Sequence, residues 1–452
     1  MSTQRISGRF APGVGDWQYV GFDVPEGVRE IEVVYSFDRP EVPPGVKGNA
    51  LDIGVFGPDR RFRGWSGGAR DRFRISATEA TPGYLPGKIE PGRWEVILGP
   101  YTVSPQGMAY DLDIAVHLGP DGPAFEPSTA PETAPNRDRG AAWYRGDGHL
   151  HTIYSDGRRR PEELVKDARE ARLDFIVSTE HNNPSAHLQW GHHATDDLLI
   201  LNGEEVTTRT GHWPAWNLPA GTWIDWRHRA DDPRELQKLV DEVHEVGGLV
   251  VAAHPFGPCV GCSWEFGLER ADLIEVWNGP WTLDDEATVI AWDSLLRAGT
   301  WVPAVGNSDA HTPSDRVGLP QNVVWAEGLS PHQLMAGFIQ GRNWIAESAE
   351  VQLEFTATDG TNTAGIGERL ATDEPVTFEV KVEGAPDTHI RILDQGGPQW
   401  GGYVEKNGGT ATWTTRSRYT RWVRVEVRRD QRTDTTVDTM VALTNPIFLG
   451  AG

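Results

Sequence analysis

Twelve residues, "GDGHLHTIYSDG" (146–157), hold His149, His151, Asp147 and Asp156 between three glycines. Alternate residues of a strand face the same side, so His149 and His151 can grip one ion together, with Asp147 on that face as a ligand or a supporting partner. Asp156 sits in a turn from which a short carboxylate can lean back over the strand end. Similar donors follow apolar runs further along: His181 ends "LDFIVSTEH", Glu205 follows "LLILNGE", and His254 ends "LVVAAH". Asn278 follows "LIEVW", and Asp309 and His311 follow "VPAVGNS". His212, in "TGHWPAWN", is far enough beyond Glu205 for a hairpin to bring it back to the same rim. His149, His151, Asp156, His181, Glu205, His212, His254, Asp309 and His311 are therefore candidate metal ligands. Four-coordinate zinc uses three or four protein ligands, so this set implies two or three ions and a bridging carboxylate. Nitrogen and oxygen donors suit divalent Zn, Mn or Fe without choosing among them.

The elements that must position these donors divide the chain into regions of different texture. Residues 1–118 carry partial period-two alternation, as in "EIEVVYSF" and "YDLDIAVHL", and read as a β-sandwich. Residues 119–140 are a proline-rich linker. Residues 141–345 alternate strands and helices, about seven strands in all, which argues for a parallel sheet or barrel. "RPEELVKDAREAR" puts Leu164, Val165, Ala168 and Ala171 on one helical face. "DPRELQKLVDEVHEVGG" does the same with Leu236, Leu239, Val240 and Val243, and "DDEATVIAWDSLLRAG" with Ala287, Ile290, Ala291, Leu295 and Ala298. A last helix is expected from Pro331 to about residue 340. Parallel α/β folds keep active sites at the carboxyl ends of their strands, which is where the donors recur. Residues 346–452 return to alternation, as in "VTFEVKVEG", and read as a second β-sandwich.

The formal charge of −23 argues against a general nucleic-acid or membrane-surface binder. No apolar run approaches the ~18 residues of a membrane span, and "MSTQRISGRF" has no signal-peptide apolar region, so the expected location is cytoplasmic. Only two cysteines are present. They form "CVGC" (259–262) in a Gly- and Pro-rich loop after His254, read as a rim-loop feature able to close a disulfide and not as a metal site.

The ordered motifs "HLHTIYSDG", "TEHN", "GEEVTT", "GHWPAWN", "AHP" and "GNSDAH" resemble those of the PHP (polymerase and histidinol phosphatase) metallohydrolases. They are more closely similar to the CehA/McbA-type branch, which includes a carbaryl hydrolase; the closing "VALTNPIFL" also resembles that branch. The resemblance implies a distorted (β/α)7 barrel, here flanked by N-terminal and C-terminal β-sandwiches, with three metals. It implies one ion on His149, His151, Glu205 and Asp309, a second on Glu205, His212 and His254, and a third on Asp156, His181 and His311. Glu180 stands where the family usually has Asp. "GEE" leaves Glu204 and Glu205 as alternatives for the bridge, with the spacing favouring Glu205.

A bound metal lowers the pKa of its water from 15.7 towards ~7, and clustered cations polarise a phosphoryl or carbonyl oxygen. Metal-assisted hydrolysis of a small molecule follows, with Glu205, Asp309 and His254 as candidate catalytic residues. The favoured substrate is a phosphomonoester or phosphodiester, with Arg158 and Arg209 as phosphate contacts and Asn278 as a substrate contact or a loop cap. The alternative is a carbamate or carboxyl ester, for which Trp213 and Trp216 of the Trp-rich loop would line an apolar pocket. A further alternative is a non-catalytic metal-binding scaffold whose β domains bind glycan or protein. His187, His192 and His193 are candidate general acids.

Overall fold

The computed structural model describes residues 2–13, 15–430 and 438–451. The fold is mixed α/β and mostly strand. Its described residues form two compact units: one of 1–129, 151–158 and 180–192, the other of 130–150, 159–179 and 193–452.

The first unit contains β1 (Ser2–Phe10), β2 (Gln18–Val24), β3 (Val28–Phe37), β4 (Ala50–Phe56), β5 (Phe62–Gly67), β6 (Arg72–Ser76), β7 (Gly92–Thr102) and β8 (Met108–Leu118). They make two four-stranded sheets, ordered β1-β8-β3-β6 and β2-β7-β4-β5. Alternate residues of each sheet, such as Ile31 and Val33 of β3 and Val96 and Leu98 of β7, are fully buried in one shared core. Period-two alternation thus gives a sandwich, with each sheet contributing one face.

The second unit begins with β9 (Ala142–Asp147), α1 (Pro161–Glu170), β10 (Phe175–His181, its last two residues counted with the first unit), β11 (Leu199–Thr207) and β12 (His212–Trp216). It continues with α2 (Pro233–Glu245), β13 (Leu249–Ala252), β14 (Leu273–Asn278), α3 (Leu283–Ala298), β15 (Ala304–Asn307), β16 (Gln321–Ala326), α4 (Pro331–Ile339) and β17 (Asn343–Ala346). Then follow β18 (Gln352–Thr358), β19 (Thr363–Gly365), β20 (Arg369–Leu370), β21 (Val376–Glu383), β22 (Thr388–Asp394), β23 (Gly397–Val404), β24 (Gly409–Thr415), β25 (Trp422–Arg429), β26 (Thr439–Thr444) and β27 (Ile447–Leu449). None of the helices among the described residues is long and apolar enough to cross a membrane.

One long sheet runs β15-β14-β13-β12-β11-β10-β9-β16-β17-β26-β25-β22-β23. The regular strand–helix alternation of a (β/α)7 barrel is not what it follows. Only four α-helices occur among the described residues, and β12 is antiparallel to both β11 and β13. The reason is the short connection from Thr207 to His212, which allows a hairpin but not the crossover a parallel pair needs. β15, at the end of the path, lies against β16 and β17 without a backbone ladder. Asparagine side chains make that seam: Asn322 bonds the N–H and C=O of Gly306 (3.1 and 2.8 Å). Asn445 accepts from the Ala304 N–H (2.8 Å) and donates to the carbonyls of Ala304 and Asn343, both at 3.0 Å.

Helix α3 departs from the apolar face read from sequence. Ile290 is 60% exposed, whereas Val289, Trp292 and Leu296 are buried together with Asp285 and Asp293. The helix is apolar on several sides, so periodicity cannot choose, and buried polar partners decide the orientation. Asp293 takes the guanidinium of Arg424 at 2.9 Å, and Asp285 accepts the backbone N–H of Asn278 and Thr282 at 2.8 and 2.6 Å. Arg424 and Arg428 flank Glu426 (both 2.6 Å), and Arg428 also pairs with Glu286 of α3 at 2.6 Å. These contacts tie α3 to β25. The sheet β19-β18-β21-β24 and strands β22, β25 and β26 share one core with Trp344 and Ala346 of β17.

Candidate metal centre

His149 is the centre of the donor cluster in the second unit. It is fully buried, directly beyond the end of β9. Gly148 before it has no room for a side chain: a Cβ there would lie 2.1 Å from the ring of Trp216, whose indole N–H donates to the Gly148 carbonyl at 2.8 Å. Asp147 fixes the strand end from the other side. Its carboxylate accepts the N–H groups of Ser308 (3.0 Å), Gly318 (2.9 Å) and His149 (3.3 Å), so it holds backbone, and burial raises its pKa to about 6.

The two nitrogens of His149 have different partners. Nδ1 lies 3.1 Å from Glu275 Oε1, while Nε2 lies 3.3 Å from both Glu205 Oε2 and Asp309 Oδ1. A histidine tethered through one nitrogen to a carboxylate presents the other in a fixed direction, as metal-ligating histidines do. Glu205, from β11, also meets His212 Nδ1 at 3.1 Å and His254 Nε2 at 3.4 Å. The hairpin produces the first contact by pairing His212 opposite Thr207. Donor atoms of His149, Glu205 and His254 lie within 4.8 Å of one another. His254 Nδ1 is buried with no hydrogen-bond partner, as expected of an atom kept for another ligand.

Two of these donors have unusual backbones. His254 (φ +28°) and Asp309 (φ +49°) adopt left-handed conformations that cost a non-glycine residue ~1–3 kcal/mol and cluster at functional sites. Hydrogen bonds hold both: the His254 N–H donates to Glu275 Oε2 (2.9 Å), and the Asp309 N–H to the His149 carbonyl (2.9 Å). His311 follows, with Nδ1 2.8 Å from the Asp309 carbonyl. Burial alone would lower the pKa of His149, but Asp309, Glu205 and Glu275 outweigh it and hold it well above the usual imidazole range. His254 is raised as well, against its burial, chiefly by its bond to Glu205. Surroundings that favour a bound proton so strongly also favour a divalent cation in its place.

A second cluster lies within the first unit. The rings of His151 and His181 stack at 4.3 Å, and His181 Nε2 is 3.4 Å from Asp156 Oδ1. Donor atoms of these three residues fall within 4.8 Å of one another. Gly157 closes the turn: a Cβ there would sit 2.5 Å from the His151 backbone. Glu180 is turned away from the histidine pair. It accepts from the backbone and hydroxyl of Thr152 and from the Ser155 hydroxyl, and its burial raises its pKa. Glu204 points away from Glu205 and accepts only the Ile224 N–H (3.2 Å), so of the two, Glu205 is the one placed among the histidines.

Glu275 is the functional residue that sequence reading missed. It accepts from His149, Asn307 (2.8 Å), Asn278 (2.9 Å) and the His254 backbone. The one available signal was a lone glutamate inside the apolar strand "LIEVWN". Asn278 itself is occupied by Glu275 and reaches Asp309 Oδ2 at 3.4 Å. Arg158 is exposed. Its neighbour Arg159 is the buried one, tied to Asp167 (2.8 Å) and to the carbonyls of Thr312 and Asp315. Arg209 is half-buried in the turn between β11 and β12. Trp213 and Trp216 are wholly buried core residues, the former donating its indole N–H to His228 (3.2 Å), so neither offers a face as a pocket wall. His187 is buried, His192 exposed, and His193 lies 3.7 Å from Glu162.

No family model matches the chain. The uncharacterised protein MJ1295 of Methanocaldococcus jannaschii is 26% identical over 120 residues, 24% of this chain and 45% of that protein, so the match spans less than half the relative's length. Among solved structures, one similar chain is a two-domain Bacteroides vulgatus protein with a region predicted to be a PHP-like metal-dependent phosphoesterase. It is 16% identical, with 68% of this chain and 98% of that chain covered and a TM-score of 0.37. A candidate metal-dependent phosphoesterase of Bifidobacterium adolescentis (18%, covering 43% and 95%, TM-score 0.30) is another. A third is an amidohydrolase of Chromobacterium violaceum (19%, covering 38% and 89%, TM-score 0.28). At these TM-scores the likenesses carry neither fold nor activity to this chain.

Proposed function

We propose that this protein is a divalent-metal-dependent hydrolase of the PHP superfamily, in its CehA/McbA-type branch, acting on a small phosphoester. The observation that carries the metal reading is the cluster around His149, in which Glu205 and Asp309 meet one nitrogen while Glu275 holds the other. His149, Glu205 and Asp309 would hold one ion, and Glu205 with His212 and His254 a second. His151, Asp156 and His181 would hold another in the first unit. Ions bound there supply an acidified water and Lewis-acid polarisation of the scissile group. The chain's own part is to set Glu205 among His149, His212 and His254, where it would be shared by the ions, to fix the direction of His149 through Glu275, and to position Asp309 through Asn278 and the His149 carbonyl.

The ordered motifs of the sequence support the superfamily, whose kinship favours the phosphoester, whereas the likeness to the branch with a carbaryl hydrolase favours the carbamate or ester. The burial of Trp213 and Trp216 in the core, where neither can line a pocket for an aryl carbamate, supports the phosphoester reading. The test is metal content, followed by turnover of p-nitrophenyl phosphate, bis-p-nitrophenyl phosphate and p-nitrophenyl acetate with Mn²⁺ or Zn²⁺. The expected result is at least two tight ions per chain and phosphoester turnover. Ester turnover alone refutes the substrate class, and fewer than two ions refutes the centre.

A further inference from the structure

The CVGC loop supplies none of the nitrogen and oxygen donors, yet it ends beside two of them. Donor atoms of Cys262, His212 and His254 lie within 4.8 Å of one another. Cys262 is 2% exposed and bonded to Cys259 as a disulfide. The loop is pinned where it passes the histidines. Gly211 donates to the Gly261 carbonyl (2.9 Å), Trp264 to that of Pro255 (3.0 Å), Glu265 to that of Thr210 (2.9 Å), and Gly257 to that of His254 (2.7 Å). Gly257 leaves the gap between the histidine and the cysteine open: a Cβ there would lie 3.3 Å from His254 Nδ1 and 3.4 Å from the Cys262 Cβ. The unpartnered His254 nitrogen therefore faces the cysteine side.

We propose that Cys262 is a redox-released metal ligand, joining His212 and His254 when the Cys259–Cys262 disulfide is reduced. This rests on the metal reading above. A dithiol reductant delivers two electrons and two protons to the disulfide, giving two thiols and its own cyclic disulfide. The Cys262 thiol then loses its proton to solvent as its sulfur binds the ion. A disulfide sulfur is a poor donor, so on this side of His254, away from Glu205, the oxidised protein offers an ion imidazole nitrogen and no sulfur, a set with little selectivity among divalent metals. A thiolate shifts the preference towards Zn²⁺. The switch thus sets which metal the site takes, not merely whether it is filled.

Co²⁺ titration of the full chain tests this, oxidised and after dithiol treatment, with Cys259→Ser and Cys262→Ser beside the wild type. A thiolate-to-cobalt charge-transfer band in the near ultraviolet is expected in the reduced wild type and in Cys259→Ser. It is expected to be absent from the oxidised wild type and from Cys262→Ser. Zn²⁺ affinity, measured against a chromophoric chelator, should rise at least ~10-fold on reduction, as even an outer-shell ligand partner is worth that much. Co²⁺ bound with visible bands but no charge-transfer band in the reduced wild type and Cys259→Ser overturns the inference and leaves the metal reading intact. An undiminished band in Cys262→Ser also overturns it. No Co²⁺ binding in either redox state overturns both.

Discussion

Glu275→Gln changes one atom and should loosen the metal without touching a ligand. The carboxylate faces four donors: His149 Nδ1 (3.1 Å) and Asn307 (2.8 Å) on one oxygen, the His254 N–H and Asn278 (both 2.9 Å) on the other. Glutamine offers one oxygen and one amino group, so two donors lose an acceptor and meet an N–H₂ instead. Each lost bond to a charged acceptor is worth ~1.5–3 kcal/mol. Part of that loss appears as a lower Tm. The part that reaches the ion is the freed orientation of His149 and the relaxed backbone of His254, and removing such a support costs ~10–100-fold in metal affinity. The assay is Zn²⁺ competition against a chromophoric chelator, with circular dichroism to show that the variant is folded. A folded variant whose Zn²⁺ affinity stays within about twofold of wild type refutes the reasoning, and makes Glu275 a brace for strands rather than for the site.

Glu205→Ala should abolish hydrolysis and lower the number of tight ions, measured by metal analysis; unchanged turnover refutes its place between the ions. Chelation should lower the Tm, because an ion present at about 100 times its Kd adds ~2.7 kcal/mol, and the effect should reverse on adding Zn²⁺ back. Gly148→Ala forces a Cβ into the ring of Trp216 and should cost ~1–3 kcal/mol in urea unfolding as well as metal affinity. Burial alone would raise the pKa of Glu426, but Arg424 and Arg428 outweigh it and lower the value from 4.5 to about 2, a difference of about 3 kcal/mol. That contribution is present above 4.5 and is lost as pH falls towards 2, so the stability gap between wild type and Glu426→Gln should narrow across that range; a gap independent of pH refutes it.

What the sequence makes legible is local. His181 closing β10, His254 just past β13 and Asp309 just past β15 can be read directly, because an apolar run followed by a polar donor is a pattern within one segment. Alternation likewise marks strands such as β18 and β21, whose burial is strictly periodic. Glu275 could not be read, because its partners arrive from the segment after β9, from β15 and from the loop after β13, and only the assembled sheet turns an odd glutamate into a hub. The face of α3 failed for a similar reason: Asp293 is buried because Arg424 meets it from a distant strand. The antiparallel return of β12 onto β11 could be read from the short spacing of Glu205 and His212, but its antiparallel pairing with β13 could not, because an apolar strand looks the same in either direction.

The asparagine seam bears on the order of synthesis. Every donor of the centre has been made once the ribosome passes His311; Asn322 of β16 and Asn343 of β17 then bond β15 directly, and Asn445, in a segment made long afterwards, adds the amide that bridges Ala304 and Asn343. Strand β15, which leads into Asp309, is therefore gripped by Asn322 and Asn343 first and has its Ala304 end sealed by Asn445 later. Domains ordinarily fold as they emerge. The strand frame of the site is thus completed in steps during synthesis, and metal capture is expected to tighten once the segment carrying Asn445 has been made.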